Sequence, residues 1–69
     1  MDAQVVCFHR VKGNRVTLYR VIDPRGVTLS WCLLWQDQER EVVSQEYWPD
    51  KGGFSAFRAY KGTVAYLQS

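Results

Sequence analysis

The sequence predicts a small, mainly β domain built on an antiparallel meander. Two turn signals, Gly13-Asn14 and Asp23-Pro24-Arg25-Gly26, separate stretches rich in β-branched and aromatic residues. The uncharged run from Leu29 to Trp35 is typical of a central strand or a buried helix segment. We favour the strand, because the turns before it are hairpin turns. The run is far shorter than the roughly 20 apolar residues of a membrane span, so no membrane partner is expected.

Three strands are predicted over residues 3–12, 15–23 and 27–35. The first two are joined by a two-residue loop at Gly13-Asn14, in which Gly supplies the positive φ that a type II′ turn needs first. The second and third are joined by a three-residue loop at Pro24-Arg25-Gly26, where Pro presets φ and Gly takes the left-handed position.

These loops determine which residues share a face of the sheet, because side chains alternate along a strand. The first loop pairs Val11 with Val16, and the second pairs Val21 with Leu29. One face, expected to form the main core, then holds Val6, Phe8, Tyr19, Val21, Leu29, Trp31, Leu33 and Trp35. The other, mixed face holds Val5, Cys7, His9, Val11, Val16, Leu18, Arg20, Ile22, Cys32 and Leu34. A slip of one residue would exchange these faces.

The polar stretch over residues 36–41 leaves two interpretations open. It is either a loop before a fourth strand from Glu41 to Trp48, or the start of a helix over residues 38–48 with Asp37 as its N-cap. Pro49 ends either element. We favour the strand.

The C-terminal stretch has three interpretations. The first is a short helix capped by Ser55, with Phe57 and Tyr60 on one face and Gly62 just past its end, followed by a last strand over residues 63–68. The second is one continuous helix, because apolar residues keep helical spacing across Gly62, although glycine inside a helix costs about 1 kcal/mol. The third is a hairpin that turns at Lys61-Gly62. The first is favoured.

The order of these elements resembles the small five-stranded barrels of the SH3-like kind. The resemblance is one of element order, and no family motif accompanies it. It implies a meander that closes into a five-stranded barrel or sheet with one short helix. The alternative is an α+β fold with a three-stranded meander and one or two helices.

Composition indicates one globular domain spanning residues 1–69, with a core small enough to benefit from a partner. Three Trp, four Tyr and three Phe exceed what such a core needs, so some aromatic side chains are expected at an interface. The N-terminal residues do not resemble a signal peptide, and the two cysteines are then expected to be free thiols in the cytoplasm.

Charge is unevenly distributed along the chain. Residues 1–26 carry a net charge of +3, residues 37–50 carry −4 and residues 51–69 carry +3, although the whole chain is only +2. These segments either complement one another across a dimer or are ordinary solvated surfaces.

Neither a metal site nor a catalytic site is predicted. Cys7, His9 and Cys32 share a face in the predicted register, but the sequence lacks the Cys-x-x-Cys spacing of zinc knuckles. Cysteines two strands apart would lie about 9–10 Å from each other, too far for a disulfide. The single histidine and the serines form no nucleophile motif. We therefore expect no cofactor, no small-molecule substrate and no enzymatic activity.

The favoured function is a non-catalytic protein-protein interaction module that self-associates. It would be an adaptor, a regulatory subunit or a stoichiometric inhibitor of a larger protein, a build common among small proteins of mobile genetic elements. Interfaces favour Trp, Tyr and Arg. The interface candidates are Trp35, Tyr47, Trp48, Phe54 and Tyr66.

The alternative function is nucleic-acid binding by a small β-barrel. Arg10, Lys12 and Arg15 cluster at the tip of the first hairpin, and Tyr19 is a nearby aromatic residue. Small β-domains bind single strands by combining a basic track with stacking aromatic rings. The small net charge weighs against this function, as does the acidic segment if it shares the same face.

Overall fold

The computed structural model describes residues 1–69 as four antiparallel strands followed by one helix. The strands lie in the sheet in chain order. The elements are β1 (Asp2–Val11), β2 (Asn14–Ile22), β3 (Thr28–Gln36), β4 (Val42–Pro49), a short 3-10 helix (Asp50–Gly52) and α1 (Gly53–Gln68). The prediction of a mainly β antiparallel meander is confirmed. The predicted five-stranded barrel is not formed, because the sheet is open and has four strands.

The helix packs on one side of the sheet, which we call the helix side. Val16 and Leu18 of β2 are almost completely buried there, and Leu33 of β3 lies beside them. Ala56 and Tyr60 of α1 complete the buried cluster. Burial, together with the neighbouring Cys7 thiol, raises the pKa of Tyr60, so its phenol stays neutral in this core.

The opposite side of the sheet is covered by no other element, and we call it the open face. Its central positions are shielded by their neighbours, but its outer side chains are exposed: Phe8 is 54% exposed and Tyr47 is 65% exposed. By register the open face holds Ala3, Val5, Phe8, Arg10, Arg15, Thr17, Tyr19, Val21, Cys32, Leu34, Gln45 and Tyr47.

The first hairpin turns at Lys12-Gly13, one residue earlier than predicted. Both residues have positive φ, 51° and 85° respectively, as the central residues of a type I′ turn require. Val11 therefore pairs with Asn14. The β1–β2 register is shifted by two residues from the predicted one. Because side chains alternate with a period of two, residues 7–11 keep their predicted faces.

The predicted faces of Val5 and Val6 at the start of β1 are wrong, because a β-bulge occurs at Val6. The register shifts between Val5 and Cys7, and an extra residue in one strand turns the following side chains to the other face. Val5 consequently lies opposite Tyr19, on the open face.

The second hairpin has the predicted loop but not the predicted register. The backbone N–H of Asp23 donates to Val27 O at 2.9 Å, which closes the three-residue loop. The predicted pairing of Val21 with Leu29 is wrong, because Leu29 bulges and Val21 pairs with Ser30.

This shift of one residue exchanges the faces of β3 relative to β2. Trp31, Leu33 and Trp35 therefore join the mixed set of Val16 and Leu18 on the helix side. The predicted aromatic core face, in which Trp31 and Trp35 accompany Tyr19 and Val21, is not formed. Leu33 is in the core as expected, and the half-buried Trp31 packs against it while its Nε1–H donates to Asp50 O at 3.0 Å.

The C-terminal half resolves the remaining alternatives. Residues after the polar loop form β4, so the strand interpretation is confirmed over the helix. The predicted last strand over residues 63–68 is wrong, since α1 continues through Gly62 to Gln68. Val64 and Leu67, beyond the glycine, pack against the buried cluster, and this burial outweighs the weak local helix propensity at Gly62.

No helix in the structure combines the length and hydropathy needed to cross a membrane.

Two glycines of α1 are expected to respond oppositely to alanine. A Cβ at Gly62 would meet nothing within 4 Å, whereas a Cβ at Gly53 would lie 2.7 Å from Trp31 Cζ2. Gly62→Ala should therefore raise the free energy of unfolding by about 1 kcal/mol through helix propensity, and Gly53→Ala should lower it. Urea unfolding measures both, and equal signs for the two variants would contradict this packing of α1 on Trp31.

Asp23 is expected to make the second hairpin sensitive to acid. The hydrogen bond from the Val27 N–H, followed by bonds from Arg25 and Gly26, lowers the pKa of Asp23 despite some burial. The folded state thus favours the carboxylate, and its contribution is present above the ordinary pKa of about 3.9 and lost as pH falls through the lowered value. Wild type should exceed Asp23→Asn in unfolding free energy at neutral pH, and the difference should vanish in strong acid.

Candidate functional site

The five predicted interface residues do not form one surface. Tyr47 lies on the open face, and Phe54 projects from α1 with 79% of its side chain exposed. Tyr66 contacts Trp35 edge-on, with ring centroids 6.3 Å apart. Trp48 is half-buried against the core cluster. The single contact surface expected from these residues is therefore split among separate parts of the molecule.

The soft metal ligands also separate. Cys7 and His9 lie on the helix side, whereas Cys32 lies on the open face because of the shifted β3 register. The expectation that all three share a face is wrong. The two cysteines are free, and the sheet itself stands between them.

The predicted nucleic-acid candidates at the hairpin tip, in contrast, come together. Arg10, Lys12 and Arg15 line one cleft of about 280 Å³ at the end of the sheet, with Arg40 from the β3–β4 loop. We call it the basic cleft. Its lining is Arg10, Lys12, Gly13, Asn14, Arg15, Asp37, Gln38 and Arg40. The fourth candidate, Tyr19, lies on the same face as Arg10 and Arg15 but further along β2.

Two cations of the basic cleft stand directly opposite each other. Arg10 pairs with Arg15 in the β1–β2 register, and like charges at such a position are destabilising. The Nε of Arg15 is also buried without a hydrogen-bond partner. Neither the Arg10–Arg15 pairing nor the unpartnered Nε stabilises the fold. Together they concentrate positive charge and an unused hydrogen-bond donor at one point.

No side-chain carboxylate forms an ion pair with a cation of the basic cleft. Asp37 is its only acidic residue, and its Oδ1 accepts the backbone N–H groups of Glu39 and Glu41 at 2.9 Å each. The one side-chain ion pair in the structure joins Arg25 to Asp23 at the other end of the sheet. The Nζ of Lys12 donates to the main-chain oxygen of Ser69 at 3.4 Å.

The backbone is unusual at two of the four cations. Lys12 and Arg40 are the only non-glycine residues with positive φ, 51° and 67°. This conformation is uncommon for such side chains. At Lys12 it is the one that the type I′ turn requires, and Arg40 takes the position that Gly26 has in the second hairpin, with the same hydrogen bonds across the loop. Both loops thus hold a cation in a left-handed position beside the same cleft.

The open face begins at the basic cleft and becomes aromatic. Along β1 and β2, Arg10 and Arg15 are followed by Phe8 and then by Tyr19. A groove of about 250 Å³ runs between Tyr19 and Tyr47. Its other lining residues are Ala3, Val21, Cys32, Leu34 and Gln45.

The sequence did not identify Arg40, because it stands inside the acidic segment. A usable signal existed nonetheless. In a four-stranded meander the first and third connections lie at the same end of the sheet, so the β3–β4 loop must approach the Lys12-Gly13 turn. Gln38 of that loop does lie 3.5 Å from the position of a Cβ on Gly13.

Lys12→Asn is expected to stabilise the first hairpin. Asn tolerates the left-handed position and Asn-Gly is the preferred pair for a type I′ turn, so the free energy of unfolding should rise by up to about 1 kcal/mol. Lys12→Gln is the matched control, because it removes the same charge and the same contact with Ser69 without that preference. Equal unfolding free energies for the two variants would argue against strain at Lys12.

Comparisons of the chain with family models, with curated proteins and with solved structures found no match. What the basic cleft and the open face do must therefore be inferred from their own residues.

Proposed function

We propose that the protein is a non-catalytic nucleic-acid-binding domain whose basic cleft holds backbone phosphates. The observation that carries the proposal is the convergence of four cations, Arg10, Lys12, Arg15 and Arg40, with no side-chain carboxylate paired to any of them. Arginine presents a planar fork of donors that matches phosphate oxygens in a bidentate fashion. An anion between Arg10 and Arg15 would relieve their repulsion.

Two features of the fold support the proposal against the objections drawn from composition, which are the acidic segment and the small net charge. Glu46 pairs with Leu33 and faces the helix side, away from the open face. Asp37 is the one residue of the acidic segment whose carboxylate lines the cleft, against four cations, whereas Glu39 and Glu41 lie in the same loop without lining it. The small net charge of the whole chain thus conceals a local surplus of positive charge where a phosphate would lie.

Removing a cleft cation should weaken nucleic-acid binding and its salt dependence. The probe is a fluorescein-labelled DNA strand of about 15 nucleotides, within the range that small single-strand-binding domains cover. By anisotropy between roughly 50 and 200 mM salt, Arg15→Gln and Arg10→Gln should each lower the affinity and reduce the salt slope by about 1.

The matched control is Lys61→Gln, which removes one positive charge from the outer surface of α1. It should leave affinity and slope close to wild type. If Lys61→Gln and Arg15→Gln weaken binding equally, the attraction is diffuse and the cleft is not the site. If the wild-type protein does not bind the strand, the proposed function is wrong.

A second candidate function, self-association as a protein-binding module, is supported by the outer surface of α1. Phe54 and Phe57 are exposed there beneath Arg58 and Lys61, which lie 5.6 and 5.7 Å from the respective ring centroids. The helix holds no acidic residue, so this apolar, basic surface complements the acidic segment 37–50 of a second copy.

Light scattering tests this second candidate. A dimer would have about twice the chain mass of 8.1 kDa, and Phe54→Ser, at a highly exposed position, should return it to monomer without loss of folding. A wild-type monomer at high concentration would remove self-association and leave only a heterologous protein partner for this surface.

Both proposals include a location in the cytoplasm, which the two free thiols support.

A further inference from the structure

We infer that the ligand is single-stranded and that its unpaired bases stack on the open face at Phe8, Tyr19 and Tyr47. This inference rests on the proposed function and extends it from the phosphates to the bases. The three rings stand on β1, β2 and β4, on the side of the sheet that holds Arg10 and Arg15 and that no other element covers.

The rings are arranged as a path that leads away from the cleft. Phe8 pairs with Thr17, two residues along β2 from Arg15, and Tyr19 lies two residues further. Four residues of strand span about 13 Å. The phosphate at Arg15 and the base at Tyr19 would therefore belong to different nucleotides of one strand.

The groove between Tyr19 and Tyr47 suits a flat ring. Its volume of about 250 Å³ is below the roughly 300–1,000 Å³ that encloses a drug-sized ligand, and its floor is the apolar surface of Val21, Cys32 and Leu34. Tyr19 and Tyr47 are separated by β3, hence by about 10 Å between backbones.

Tyr47 is held in place at the rim of this groove. Gln45 Nε2 donates to the Tyr47 hydroxyl oxygen at 2.8 Å. Electrostatic interaction with the adjacent Cys32 thiol raises the pKa of Tyr47, so the ring stays neutral. A neutral, oriented ring next to an apolar floor is a stacking surface for bases.

Charge favours nucleic-acid bases over an apolar protein surface as the occupant. The only charged side chains on the open face are Arg10 and Arg15, and each of the seven carboxylates of the chain lies in a turn, a loop or on the helix side. A strand whose phosphates enter the cleft brings its bases onto this face. A duplex cannot do so, because its bases are already stacked on one another.

The experiment compares three probes of equal length on the full chain: a DNA strand, the same strand with abasic sugars in place of most nucleosides, and the corresponding duplex. All three supply phosphates, but only the first supplies free bases. Tyr47→Leu and Tyr19→Leu remove a ring, whereas Tyr47→Phe and Tyr19→Phe keep it. Urea unfolding of each variant verifies that it folds.

The strand should bind at least tenfold more tightly than the abasic strand and the duplex. Each Leu variant should lose about tenfold of the affinity for the strand and little for the abasic probe, while the Phe variants stay near wild type. The salt slope should not change in any of them, because no phosphate contact is removed.

Two other results would distinguish base stacking on the open face from phosphate binding in the basic cleft. If all three probes bind equally, and Arg15→Gln weakens all of them, the cleft binds phosphates and the stacking inference is wrong. The inference is equally wrong if the Leu variants change the oligomeric mass and leave strand binding intact, since a protein surface then covers the open face. Binding of none of the probes would overturn both.

Discussion

The contact between β2 and α1 determines which side of the sheet is buried and which side is left uncovered. Val16 and Leu18 pack against Ala56 and Tyr60 in the buried cluster. A 16-residue helix with an internal glycine and no side-chain N-cap is marginal in isolation, and a sheet needs a covered apolar face. A single helix covers only one face. The opposite face, with its aromatic side chains, is exposed as a consequence.

Turn chemistry predicted the hairpins from sequence, but it did not predict the register. The Asp23-Pro24-Arg25-Gly26 turn and the three-strand meander were identifiable because proline and glycine punctuate them. The bulges at Val6 and Leu29 carry neither residue. Since a strand alternates with a period of two, the Leu29 bulge alone moved Cys32 from the helix side to the open face and Trp31 in the other direction. Local patterns do not contain this information.

The same limit explains what could be predicted of the helix and the cleft. The local cost of Gly62 favoured a helix end, and only the tertiary packing of Val64 and Leu67 outweighs it. Arg10, Lys12 and Arg15 were found because they are neighbours along one hairpin. Arg40 is brought to them by the meander topology, which places the first and third connections together, and no feature of its own segment indicates that meeting.

The proposed anionic ligand would account for two features of the basic cleft that solubility does not require. Charged residues that keep a sheet end soluble work with both signs interspersed, and they need no special backbone. Here Arg10 faces Arg15 at a cost in repulsion, and the Nε of Arg15 is buried without a partner. Two departures from the most stable arrangement coincide at one point, which borders the uncovered aromatic face. An anion at that point would satisfy the donors and relieve the repulsion together, and a strand that continues from it over Phe8, Tyr19 and Tyr47 would use the one sheet face that α1 leaves exposed.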